Sequence, residues 1–154
     1  RDRLVELYVE RDKLIIKKYT PIANSAERAA CICQTLASET GYVCVVADTA
    51  KILCVSGDAL KNIVDKKIST GFYSIIENGA PMLINYDEGG KPVSPSGEPE
   101  IEHSSLAAVT LEKEGAPLGA IALLSFEKEK RLGENEMNVL KIAKQLIECC
   151  CVDL

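Results

Sequence analysis

The sequence predicts an α+β fold: a five-stranded antiparallel sheet with helices on both faces, preceded by a β-hairpin. Three observations predict it. Short apolar runs recur with polar turns between them, the pattern of strands joined as hairpins. Two longer segments, one from Ala26 and one from Glu134, repeat apolar residues at spacings of three and four, the helical period. The strand-rich stretch lies between these two helices, so both can rest on one sheet face while the mid-chain segments cover the other.

The 154 residues are 47% hydrophobic and 27% charged, which suits one medium domain or a small module plus one domain. No apolar run approaches the ~18–20 residues that span a bilayer, and no membrane association is expected. Arg1-Asp2-Arg3 leads into an alternating segment and not into the apolar core of a signal peptide. Position 1 is not Met, so the sequence is expected to have lost its native start. Net charge is −5. Residues 1–20 hold six Lys/Arg against four Asp/Glu, and residues 21–154 hold twelve against nineteen. A mildly basic front thus precedes an acidic bulk that is a poor nucleic-acid binder by itself.

Element by element, Val5, Leu7 and Val9 share one face at period two, and Leu14–Tyr19 forms the partner strand across the Glu10–Lys13 turn. A lone hairpin is marginal in water, so this one needs further strands or another chain. Thr20-Pro21 ends the second strand. Asn24 or Ser25 caps a helix whose stripe (Ala26, Ala29, Ala30, Cys33, Leu36, Ala37) is mostly small, and Gly41 stops it. Strands Val43–Ala47 and Ile52–Val55 flank a polar turn. Ser56-Gly57-Asp58 opens a short helix through Val64, and Ser69 leads into another from Gly71 to Asn78. Pro81–Ile84 is a strand. Residues 86–103, with three Gly and three Pro, form a long loop of the kind that is often functional. Strands Leu106–Leu111 and Leu118–Phe126 make a hairpin. The last helix carries an apolar stripe of Met137, Leu140, Ala143, Leu146, Ile147 and Cys150. This arrangement leaves a cleft between the sheet and the mid-chain segments.

The seven cysteines (31, 33, 44, 54, 149, 150 and 151) include no Cys-x-x-C pair, and His103 is the single histidine. Reduced thiols, mostly buried, in a cytoplasmic protein are expected, with no metal and no cofactor.

The element order from Ala23 to Cys151 resembles the GAF family of small-molecule sensing modules. Asp2–Val9 and Leu14–Ile22 resemble the back half of an AbrB-type swapped-hairpin DNA-binding domain, most of all in Lys17-Lys18-Tyr19-x-Pro21-Ile22. Val55-Ser56-Gly57 and Ala116-Pro117-Leu118-Gly119-Ala120-Ile121 are similar to the SpoVT family of sporulation transcription regulators. The resemblance implies a partial AbrB-type hairpin at 1–21 and a GAF-like sensor and oligomerisation domain at 22–154. It implies a non-enzymatic regulator, a dimer or tetramer paired through its helices, with an unidentified small-molecule effector. DNA would be bound through an AbrB-type domain whose basic front half lies upstream of Arg1. Two other readings stay open: a thiol enzyme of the methionine sulfoxide reductase kind, using Cys44 and Cys54, and a ligand-free GAF assembly platform.

The candidate ligand-binding residues are Cys54, Ser56, Phe72, Tyr73, Ile76, Tyr86, His103 and Ser105. Aromatic side chains supply apolar area in such a cleft and polar tips fix orientation; each could equally fill the core. Cyclic nucleotides are not expected, because Asp87-Glu88 occurs without the Asn-Lys and Phe of that GAF signature. Lys17 and Lys18 read as solvated edge charges. His103 adjoins Ser104 and Ser105, but strand neighbours face opposite ways, so no catalytic pair is expected.

Overall fold

The computed structural model describes residues 5–10, 13–18, 26–90 and 93–150. The anticipated helix caps Asn24 and Ser25, the stretch Tyr19–Ile22 and Cys151 lie outside them. Strands β1 (Val5–Glu10) and β2 (Lys13–Lys18) pair antiparallel. Their register sets Leu7 opposite Ile16 and Val9 opposite Leu14, with Glu6 opposite Lys17 and Glu10 opposite Lys13.

The remaining elements are α1 (Ala26–Thr40), β3 (Val43–Asp48), β4 (Ile52–Val55), α2 (Thr70–Asn78), β5 (Met82–Asn85), β6 (Ser105–Lys113), β7 (Ala116–Ser125) and α3 (Glu134–Cys150). Strands β3 to β7 form one antiparallel sheet in the order β4-β3-β7-β6-β5. Local chemistry sets the boundaries. Asp48 Oδ1 accepts from the Ala50 and Lys51 amides and closes the β3–β4 turn. Ser69 accepts from Phe72 N to cap α2, and Gly79 ends that helix in the left-handed conformation. Glu136 reaches back to the Gly133 amide at the start of α3. The helix expected after Gly57 is a 3-10 helix, Asp58–Ile63.

Period-two alternation buries the sheet on both faces. Cys44, Val46, Ala107, Val109, Leu111, Ile121 and Leu123 face α1 and α3 and pack with Cys33, Leu140, Ala143 and Ile147. Val45, Ala47, Leu106, Ala108, Ala120, Ala122 and Leu124 face α2 and the mid-chain segments. Between β3 and β7 the backbones run very close at Gly119. A Cβ there would lie 1.9 Å from the Ala47 carbonyl oxygen, so only glycine fits.

Candidate functional site

The face under α2 is where the sequence places a cleft, and side chains fill it. Four of its sheet positions are alanines: 47, 108, 120 and 122. Their short side chains let α2 settle onto the strands, so Phe72, Ile75 and Ile76 occupy the space directly, all at most 3% exposed. Thr110 donates to the Ile75 carbonyl 3.2 Å away and fixes the end of α2 to β6. Phe72 and Ile76 are therefore core residues, while Tyr73 points to solvent from the outer side of α2.

The other candidates are scattered by the geometry. Ser56 is buried and accepts from the Cys44 amide at 2.7 Å, extending the β3–β4 pairing. Ser105 is buried and donates to Asn85 Oδ1 at 2.6 Å. Cys54 lies on the opposite side of the sheet, packed against the core under α1. Its thiol hydrogen-bonds with that of Cys33, which raises the Cys54 pKa far above the ordinary thiol value, with burial adding to the effect. Cys33 is also pushed up, chiefly by its contact with Cys44, whose carbonyl accepts from its Sγ at 3.2 Å. Attack on a sulfoxide needs a thiolate, and this environment keeps Cys33 and Cys54 protonated.

Tyr86 and His103 do come together. They line a cavity of about 520 Å³ at the β5–β6–β7 end of the sheet. Tyr86 begins a 3-10 turn after β5, and its amide donates to the Ser104 carbonyl at 2.9 Å. Ser104 in turn donates from both its amide and its hydroxyl to the Ser125 carbonyl. These bonds bring the end of the 86–103 loop beside the exit of β7, where Phe126 and Lys128 complete the walls. The His103 and Phe126 rings meet edge to face with centroids 6.5 Å apart. Lys128 Nζ sits 5.4 Å from the centre of the Tyr86 ring. Sequence reasoning ends the last strand at Phe126 and gives neither it nor Lys128 to the cavity; β7 stops at Ser125, and the charged stretch that follows has no periodicity.

His103 is the most perturbed group in this cavity. Its Nδ1–H donates to the Ile101 carbonyl at 3.1 Å, while Nε2 is buried with no partner among the described residues. Burial lowers its pKa below the ordinary 6.5, more than the Ile101 bond raises it. The folded protein therefore holds this imidazole neutral where the unfolded chain would take up a proton. Its stabilising share is full above pH ~6.5 and is lost as pH falls below that value toward the folded pKa. Urea unfolding between pH 5 and 8 tests this, and His103→Gln should flatten the acid side of the profile. An unchanged slope in that variant would contradict the assignment.

The cavity is tied to α3. Arg131, between Lys128 and that helix, pairs through Nε with Asp87 at 3.2 Å and through its guanidinium with Glu88, both in the turn that Tyr86 begins. Asn85 Nδ2 donates to the Leu132 carbonyl at 3.2 Å, and Leu132 is buried in the core under α3. Outside the cavity, α1 and α3 leave between them an apolar groove of about 180 Å³, lined by Ile32, Leu36, Val139, Ile142 and Leu146 with Cys31, Thr35 and Ala143. Among the described residues no cluster of three or more His, Cys, Asp or Glu is placed to hold a metal ion. No helix among them is long and apolar enough to cross a membrane.

Comparison with known proteins places this geometry. The family model described as "Stage V sporulation protein T C-terminal, transcription factor" matches residues 26–148. Stage V sporulation protein T of Bacillus subtilis (strain 168) is 25% identical over 140 residues, covering 90% of this chain and 76% of that protein. Among solved structures, the GAF domain of an Acinetobacter phosphoenolpyruvate-protein phosphotransferase superposes with a TM-score of 0.65 at 9% identity, over 84% of this chain and 87% of that one. The type II free methionine-R-sulfoxide reductase of Thermoplasma acidophilum gives 0.62 at 15% identity, over 84% and 94%. The GAF-B domain of DevS from Mycobacterium smegmatis gives 0.63 at 11% identity, over 84% and 92%. The fold is that of a GAF domain.

Proposed function

Because this chain belongs to the stage V sporulation protein T C-terminal family of transcription factor domains, we propose that it is the effector-sensing and oligomerising part of a sporulation transcription regulator. In this reading it works in the cytoplasm as a dimer or tetramer and reaches DNA through an AbrB-type domain of which residues 1–21 are a part. It performs no catalysis.

The observation that carries the reading is the unpaired apolar face of α1 and α3. Ile142 is 63% exposed and Leu146 53% exposed, on the side of α3 that turns away from the sheet. They adjoin Ile32 and Leu36 of α1 across the groove. A second copy presenting the same face would bury all four in a four-helix bundle, by the self-complementary contact of a twofold dimer. Sedimentation equilibrium tests this: a dimer or tetramer is expected, and the monomer mass would contradict it.

The cavity beside Tyr86 and His103 is the effector site in this reading. A ligand there touches Phe126, from which the chain runs through Arg131 and Leu132 into α3. Displacing Tyr86 or Phe126 shifts the Arg131 contacts and with them the start of α3. Such coupling acts only if the ligand has unequal affinity for two arrangements of the helices.

A further inference from the structure

The chemistry of the cavity walls restricts what the effector can be, on the reading that this cavity is the effector site. Glu100 and Glu102 both line it, and among the described residues neither makes an ion pair or a side-chain hydrogen bond. His103 Nε2, a further acceptor, is buried and has no donor among the described residues. The Ser104 hydroxyl proton is already committed to the Ser125 carbonyl, leaving only its oxygen lone pairs. Among the described lining residues one cation, Lys128, stands against these acceptors, and it lies over the Tyr86 ring rather than on a carboxylate. The lining is thus net negative and rich in acceptors short of donors. Its apolar part is Ile101 and two aromatic rings, Tyr86 and Phe126, each more than 40% exposed. Aromatic faces attract cations, as the position of Lys128 already illustrates.

We infer that the cavity binds a small organic ammonium, a protonated amine on an apolar body. The ammonium N–H groups satisfy the Glu100 and Glu102 carboxylates, and the body lies against Tyr86 and Phe126. An acid of the same shape is repelled, because it brings further acceptors and further negative charge.

The test is a titration of the ¹⁵N-labelled protein with 2-phenylethylamine, phenylacetate and L-phenylalanine, read by amide shifts. The amine should move signals of Tyr86, residues 100–104 and residues 126–128. Phenylacetate should move none of them. Phenylalanine distinguishes a free amine from an amino acid: tighter binding than the amine means that Lys128 holds its carboxylate. Glu102→Gln and Glu100→Gln should each weaken the amine about tenfold, whereas Lys128→Met should tighten it several-fold by removing a like charge. Phenylacetate binding at these residues with equal or greater affinity would overturn the ammonium assignment and leave the cavity as an effector site. If none of the three probes moves these signals at about 10 mM, both the assignment and the effector site fall.

Discussion

The double variant Ile142→Glu, Leu146→Glu is expected to lose self-association, its dissociation constant rising at least about a hundredfold. Both side chains lie more than half in water on the single chain, so the substitutions should change its unfolding free energy by only about 0.5 kcal/mol. In the proposed assembly they become central. Each copy would place two carboxylates in a face lined by Ile32, Leu36 and Val139. Twofold symmetry doubles every such change, and a buried carboxylate without a partner costs several kcal/mol. Sedimentation velocity across a concentration series checks the expectation. Association equal to that of the parent would remove the α1–α3 face from the account.

Phe72→Ala is expected to cost about 3–5 kcal/mol of stability, the largest single effect in the domain. The ring has no exposed surface and sits among Ile75, Ile76 and the alanines of the sheet. Truncation loses its transfer free energy and leaves an apolar void that the rigid sheet cannot close. Domains of this size are stable by only about 5–15 kcal/mol, so Phe72→Leu, with a cost of about 1–2 kcal/mol, provides a second variant that still folds. Urea unfolding measures both. A cost below about 1 kcal/mol for Phe72→Ala would mean that this face is an open pocket and not a packed core.

The two variants probe parts of the molecule that differed in how well the sequence announced them. Continuous apolar runs such as Val43–Ala47 and Leu118–Phe126 signal strands because each is apolar on both faces of a covered sheet. Ser69 and Gly79 mark α2 because an N-cap oxygen and a left-handed C-cap are local needs. The resemblance to the SpoVT family rests in part on the stretch Ala116–Ile121, which enters β7, and the close approach of Ala47 explains why Gly119 is there. The filling of the cleft was illegible. Ala47, Ala108, Ala120 and Ala122 read equally as the floor of a void or the seat of a helix, and only the distance of α2 decides. Cys54 was misplaced for a related reason. It pairs with Val46 across a strand bordered by an irregularity between Val46 and Ala47, and it faces α1. The pairing of Tyr86 and His103 with Phe126 depends on backbone bonds between segments distant in sequence, Tyr86 to Ser104 and Ser104 to Ser125, which no periodicity encodes.

Mass alone does not say which surface joins the copies in the proposed assembly. The most direct measurement is an isotope-filtered NOE experiment on a mixture of ¹³C-labelled and unlabelled protein. The account predicts intermolecular contacts from the methyl groups of Ile32, Leu36, Ile142 and Leu146. Intermolecular contacts found only elsewhere, or none at a concentration where the protein is associated, would contradict it.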